Sequence, residues 1–330
     1  MASCASTVAV SSFGPPQETA DTQSTISSLL EPAISFLEPV ARAPFPAIRR
    51  LFDHLRTDAR DSASLNATYP SRGLFKTAAM TNPSSDQKLT LDLSPKRVLL
   101  ISADLRASLA AHGLEEVLSF FSAIAAAHIP TILSALSNLA GIDLAPLHKS
   151  QNINFRLCDY WPGTAAPESD NGCGPHTDYG TFSIIFQDEH AGLEVKAPGS
   201  SGWIPIPPGG AVLLFGWCAL ILSGGRIHAV KHRVRRLSGT RRLSAVLFVA
   251  PDVDVALKPV NVDNSARQFS ELIKSGAVDV KWFKEVMGKR WRWREGNESL
   301  ANGELDEVTQ DEDIEKLVFG LGSYETRVKA

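Results

Sequence analysis

At 330 residues, 44% of them hydrophobic and 21% charged, the chain has the composition of a globular protein with room for one large domain or two small ones. A net charge of −3 gives no electrostatic case for nucleic acid or an anionic membrane as partner. The four cysteines (Cys4, Cys158, Cys173 and Cys218) show no paired spacing, which points to a reducing, cytoplasmic setting and not to a disulfide framework.

The first residues, MASCASTVAVSSFG, lack both a basic n-region and a long apolar core, so no secretory signal is expected. Residues 7–13 read as a short strand. Residues 24–37 place Ile26, Leu29, Leu30, Ile34 and Leu37 at helical spacing, and a second helix is expected over 46–55 with Pro46 in its first turn. Residues 62–88, carrying Pro70, Gly73 and Pro83, read as irregular. Residues 105–139 read as two helices, striped by Leu114, Leu118 and Phe121 and then by Ile132, Leu136 and Leu139, with Pro130 opening the second. Residues 120–139 come nearest to the roughly 18–20 apolar residues of a membrane span, but His128 and Pro130 interrupt them.

From Asn152 the texture changes. Short β-rich runs are expected at 154–160, 181–186, 193–196, 211–215, 220–222, 228–234 and 243–249, punctuated by Gly and Pro, the pattern of a sandwich or barrel. Helical spacing returns at 269–273 and 280–290. The run Lys289-Arg290-Trp291-Arg292-Trp293-Arg294 reads as a basic, aromatic helix end packed on the barrel, and 303–314 as an acidic tail. The fold class expected is mainly β with flanking helices, in a single domain: a mostly helical support over 1–150, a barrel core over 151–255 and C-terminal helices over 256–330.

The chemistry sits in three short motifs. His176 and Asp178 are two residues apart, and in a strand such residues point to one side, roughly 6–7 Å apart at Cα. A third ligand then arrives from another strand, and His232 or His228 can supply it. Four strand residues separate these two, roughly 13 Å, so only one can bind. Two imidazoles and a carboxylate suit Fe(II) oxygen chemistry because they leave coordination positions open. Ten residues after His232, Arg242 and Ser244 share a strand face and can grip a carboxylate through charge-assisted hydrogen bonds, while Arg241 points the other way, toward solvent.

His176-x-Asp178, His232-Arg233-Val234 and Arg242-x-Ser244, in this order and spacing, resemble the signature of the 2-oxoglutarate/Fe(II)-dependent dioxygenases of the isopenicillin N synthase-like branch. Gly192-Leu193-Glu194-Val195 before Trp203-Ile204-Pro205, and Ser223-Gly224-Gly225-Arg226 before His232, resemble the same family. The resemblance implies a double-stranded β-helix, a jelly-roll barrel, with Fe(II) on His176, Asp178 and His232. It implies 2-oxoglutarate as co-substrate, its distal carboxylate on Arg242 and Ser244 with Tyr160 beside it, and also O2 and ascorbate as reductant. The Arg-Val after His232 favours it over His228. The reaction implied is hydroxylation, desaturation or ring modification of a small organic molecule, in secondary-metabolite biosynthesis. Two departures stand out: Cys158 replaces a polar residue near Tyr160, and Trp217 follows Gly216 where an Asp is usual, a ring expected to cover the barrel or shape the pocket. An iron oxidase that does not use 2-oxoglutarate, a zinc hydrolase on the same His/Asp/His set, and a non-catalytic barrel remain as alternatives. Substrate is expected to meet residues 71–79 and 282–293 at the barrel mouth.

Overall fold

The computed structural model describes residues 8–9, 43–68, 86–150, 152–164, 169–196, 202–262, 265, 267–294 and 309–320. The expected helix at 24–37 and the mouth segment 71–79 lie outside these residues, as does most of the expected strand at 7–13. Strands β1 (Val8–Ala9), β2 (Leu89–Asp92), β3 (Ile153–Tyr160), β5 (Phe182–Gln187), β8 (Ala211–Phe215) and β10 (Arg242–Val249) form one sheet in the order β1-β8-β5-β10-β3-β2. Strands β4 (Asn171–His176), β6 (Leu193–Lys196), β7 (Ile204–Pro205) and β9 (Lys231–Arg235) form a second, in the order β4-β9-β6-β7. These two largely antiparallel sheets make the expected jelly roll.

The long sheet has two different faces because β3 and β10 alternate strictly. Phe155, Leu157, Ala245 and Leu247 belong to the main apolar core shared with the helices. Their neighbours Arg156, Cys158, Tyr160, Arg242, Ser244 and Val246 line an internal cavity. Helix α1 (Phe45–Thr57), opened by Pro46 in its first turn, buries Ala47, Ile48, Leu51, Phe52 and Leu55. Helix α2 (Ala59–Thr68) follows it where irregular chain is expected from the sequence. Then come α3 (Pro95–Val98), α4 (Ala103–Ala111) and α5 (Leu114–Ala140).

The break between the two predicted helices falls at Gly113, in the left-handed region at φ 101°, and not at Pro130. Helix α5 runs through Pro130 because one buried stripe, Val117, Phe121, Ile124, His128, Ile132, Leu136 and Ala140, continues on both sides of it. Pro130 faces solvent, where water can satisfy the carbonyl that its missing N–H leaves open. With 27 residues, α5 is long and apolar enough to cross a membrane, yet in this fold it packs on the long sheet. Phe121 stacks on Phe155 at 4.3 Å and Phe120 meets Phe186 edge-on at 5.0 Å.

Residues 217–222 form a short buried helix, α6 (Trp217–Leu222), and not a strand at 220–222. Helices α7 (Glu271–Lys274), α8 (Val280–Arg294) and α9 (Thr309–Phe319) close the chain. Residues 309–314 of the run read as an acidic tail belong to α9, and the rest of that run lies outside the described residues. Ile314, Leu317 and Val318 of α9 join the main core. Trp217 is buried there too, 6.2 Å from the Phe319 ring, so it faces the helical side and does not shape the cavity.

Candidate active site

His176 is the last residue of β4, an edge strand whose Gly-Cys-Gly-Pro text carries two register shifts against β9. Pro175 is tolerated because β4 lies at the edge of its sheet among the described strands, where a missing ladder N–H costs least. His176 pairs directly with His232 of β9, and their rings lie 4.2 Å apart. Asp178 stands just beyond the strand, and its main-chain carbonyl accepts from Trp217 N–H at 2.9 Å. Gly216 permits this approach, since a Cβ there would sit 2.6 Å from that carbonyl oxygen.

The three side chains converge. Asp178 Oδ1 is 3.7 Å from His176 Nε2, and Asp178 Oδ2 is 4.0 Å from His232 Nε2. All three residues are buried, with their ligand atoms within 4.8 Å of one another. His176 Nδ1 donates to Gly174 O at 2.9 Å and His232 Nδ1 to Val230 O at 3.1 Å. A carbonyl can only accept, so each ring keeps its lone pair on Nε2, aimed at the cluster. Ser183 Oγ donates to Asp178 Oδ2 at 2.5 Å and fixes the carboxylate.

His228 is not in this cluster. The strand begins only at Lys231, so the regular spacing that would place His228 and His232 on one face does not exist. Its Nδ1 instead accepts from Arg267 at 2.7 Å.

His176, Asp178 and His232 face a cavity of about 360 Å³ between the sheets, within the roughly 300–1,000 Å³ typical of small-molecule sites. Arg242, Ser244 and Tyr160 line the same cavity. Arg242 is 3% exposed and donates through Nη2 to Gln187 Oε1 at 3.0 Å. Its Nε and Nη1 are buried with no partner among the described residues. Buried guanidinium donors normally find acceptors, so a carboxylate-bearing co-substrate fits what this residue lacks. Its guanidinium lies 5.1 Å from the Tyr160 ring, whose hydroxyl is pushed up in pKa by burial. Gly192 makes room for Arg242, for a Cβ there would lie 3.3 Å from Arg242 Cδ.

Arg241 is not solvated. It donates from Nε and Nη2 to Asp159, at 2.9 and 2.7 Å, and from Nη1 to Asp53 at 2.8 Å, on the helical side of the sheet. Sequence reading also passes over Asp86 and Lys88, which lie in the stretch taken as irregular. Asp86 accepts the Gly174 N–H at 2.8 Å and the Lys88 ammonium at 2.9 Å, beneath the strand that ends in His176. Arg156, Phe248 and Lys284 in the cavity wall are likewise unmarked by any local motif. Lys284 alone among them falls in the mouth segment expected at 282–293; Trp282 packs against the main core.

A jelly roll with this buried two-histidine, one-carboxylate set could hold a single metal ion. Residues 150–251 match the model of the 2OG-Fe(II) oxygenase superfamily. A feruloyl CoA ortho-hydroxylase of Ipomoea batatas is 31% identical over 154 residues, 46% of this chain and 39% of the relative. The match thus spans about two-fifths of that relative's length. Two solved structures share the fold. One is a putative 2OG-Fe(II) oxygenase family protein from Caulobacter crescentus, with TM-score 0.57 and 16% identity over 88% of this chain and 99% of that one. The other is Neurospora crassa T7H in complex with alpha-KG and thymine, with TM-score 0.54 and 18% identity over 79% and 92%.

Proposed function

We propose that this protein is a 2-oxoglutarate- and Fe(II)-dependent dioxygenase that hydroxylates a small organic molecule of secondary metabolism, desaturation or ring modification being reactions of the same residues. The observation that carries the reading is one cavity lined both by the buried His176, Asp178 and His232 and by a buried Arg242 with two guanidinium nitrogens unpartnered among the described residues. A zinc hydrolase has no use for that arginine. The relative's ortho-hydroxylation of feruloyl CoA supports hydroxylation as the first reading. The described cysteines, Cys158, Cys173 and Cys218, form no disulfide among the described residues, in keeping with a cytoplasmic enzyme. The whole chain is taken as one oxygenase domain.

In this reading His176, Asp178 and His232 would hold the metal, a ligand set that suits Fe(II) oxygen chemistry. Bound Fe(II), with 2-oxoglutarate and O2, supplies the oxidation as 2-oxoglutarate is converted to succinate and CO2, with ascorbate keeping the metal reduced. Gly174 O and Val230 O hold the two imidazoles in the tautomer that presents Nε2. Arg242 and Ser244 take the distal carboxylate of 2-oxoglutarate, and Tyr160 packs against the guanidinium. Ile185 and Val246 line the same cavity and exclude water from the reacting centre.

The test is an anaerobic titration of the Fe(II)-loaded protein with 2-oxoglutarate, followed by assay of succinate in air. A weak visible charge-transfer band and succinate release are expected. Metal binding without either would leave the oxidase or the hydrolase as the reading.

A further inference from the structure

Arg242 is a buried cation held by a neutral side chain. Among the described residues it forms no ion pair, and its hydrogen bond there runs from Nη2 to Gln187 Oε1 at 3.0 Å. A guanidinium this far from water normally faces a carboxylate. Here an amide stands in that place, and the Tyr160 ring, 5.1 Å away, offers only the weak attraction of its face.

Register brings the amide there. Gln187 ends β5 directly opposite Ser244 of β10, and Arg242 lies two residues along β10 on the same face. Such diagonal neighbours are roughly 7–8 Å apart, within reach of two long side chains. Gln187 is buried but does not line the cavity, so it acts on a ligand only through Arg242. Its Nε2 donates to Pro207 O at 3.2 Å. A carbonyl can only accept, so the amide nitrogen faces Pro207 and Oε1 faces Arg242. A glutamate here would set an oxygen against the Pro207 carbonyl. The next carboxylate in the chain is engaged elsewhere: Asp188 accepts the Leu243 N–H at 2.7 Å and the His190 N–H at 3.0 Å. Arg242 thus keeps its charge, with Nε and Nη1 left for a ligand.

We propose that Gln187 is a positioning residue for the co-substrate: it holds Arg242 by one nitrogen without neutralising it, so that an incoming carboxylate meets an aimed guanidinium with its full charge. An acid at position 187 would close the site to that carboxylate. The inference rests on the proposed function in that it takes the distal carboxylate of 2-oxoglutarate as the group Arg242 receives.

The test is calorimetric binding to the anaerobic Fe(II) protein, with 2-oxoglutarate and 2-oxobutyrate as probes. 2-Oxobutyrate has the same 2-oxo acid end and no distal carboxylate. Gln187→Glu should weaken 2-oxoglutarate about 100-fold or more. Gln187→Met should weaken it about tenfold, because the guanidinium is then free to turn. Neither should move 2-oxobutyrate by more than about twofold. In Arg242→Leu, adding Gln187→Met should weaken 2-oxoglutarate no further, since the two residues act as one unit. Melting curves of the metal-free proteins give a second readout. Gln187→Glu should raise the melting temperature where Arg242 is present, by supplying a counter-charge, and lower it in Arg242→Leu, where the new carboxylate is buried alone. Unchanged 2-oxoglutarate binding in Gln187→Glu, an equal loss for 2-oxobutyrate, or a Gln187→Met loss that persists in full without Arg242 would each overturn the inference and leave the proposed function standing. A wild type that binds no 2-oxoglutarate overturns the proposed function. The melting shifts then decide the role of Gln187, and equal shifts with and without Arg242 overturn that too.

Discussion

Arg267 Nη2 donates to His228 Nδ1 at 2.7 Å, which ties the first of the two distal histidines to a cation and away from the metal cluster. A ring nitrogen that accepts from a guanidinium cannot hold a metal through the same lone pair. His232→Ala should therefore abolish tight Fe(II) binding, and His228→Ala should leave metal occupancy close to wild type. Metal analysis of both purified variants, with circular dichroism to check folding, decides the matter. Equal metal loss in both folded proteins would overturn this choice of ligand.

His228 also predicts an acid-sensitive fold. Burial, with Arg267 beside it, pulls its pKa from 6.5 down to about 4. The unfolded chain thus binds a proton that the folded chain does not between those values, so stability is lost as pH falls from about 6.5 through about 4. The loss is on the order of 1–3 kcal/mol after allowing for solvent screening. His228→Gln should remove this part of the pH dependence. Urea denaturation of both proteins at pH 7 and pH 4.5 measures it, and parallel losses in the two would exclude His228 as the source.

Arg242 should be dispensable for the ligand-free fold and indispensable for the co-substrate. Its Nε and Nη1 lie buried without partners among the described residues, an arrangement that costs stability until a carboxylate arrives. Arg242→Leu should keep the ligand-free melting temperature or raise it, since an apolar side chain in place of a buried, half-satisfied charge is neutral or stabilising. The same change should weaken 2-oxoglutarate by about 2–5 kcal/mol, tens- to thousands-fold. Thermal shifts with and without Fe(II) and 2-oxoglutarate test both halves. A large drop in ligand-free stability with the co-substrate response intact would make Arg242 a structural residue.

What the sequence reveals here and what it hides follow from how local each signal is. His176-x-Asp178 and Arg242-x-Ser244 each lie within three residues, and strands such as β6 and β8 match their expected bounds because alternation is local. Strand β4 escapes notice because Gly172, Gly174 and Pro175 have low strand propensity, and long-range pairing with β9 and contacts from residues 86–87 hold them extended. Residues 220–222 look like a strand because a short buried apolar run has no period to read. Arg241 reads as solvated because its partners, Asp53 and Asp159, come from α1 and β3, far away in the chain.

That ion pair should matter to stability and not to chemistry. Asp159 is fully buried and takes two bonds from Arg241. Arg241→Met leaves a buried carboxylate short of its main counter-charge and should cost about 3 kcal/mol of folding stability. Metal and 2-oxoglutarate affinities should not change, because the pair lies on the face of the sheet away from the cavity. Denaturant melts and the co-substrate titration measure the two effects, and a stability change under about 0.5 kcal/mol would mean that solvent screens the pair.

The last prediction concerns how His176 is aimed. Asp86 accepts the Gly174 N–H at 2.8 Å, and Gly174 O accepts from His176 Nδ1 at 2.9 Å. One peptide unit thus links the Asp86 carboxylate to a proposed metal ligand, in a strand too rich in Gly and Pro to fix its own geometry. Partners of this kind typically contribute roughly 10–100-fold to metal affinity. Asp86 also neutralises Lys88: burial opposes the ammonium charge, but Asp86 outweighs it and holds the pKa well above the usual value. A single substitution at Asp86 would therefore confound positioning with an unpaired buried cation. Two double variants separate them. Asp86→Asn with Lys88→Met keeps an acceptor for Gly174 and removes both charges, and should bind metal nearly as well as wild type. Asp86→Ala with Lys88→Met removes the acceptor too, and should bind metal about tenfold more weakly. Competition against a chelating dye reads the affinities, with melting curves confirming that both proteins fold. Equal metal affinity in the two doubles would show that Asp86 serves only as the counter-ion of Lys88.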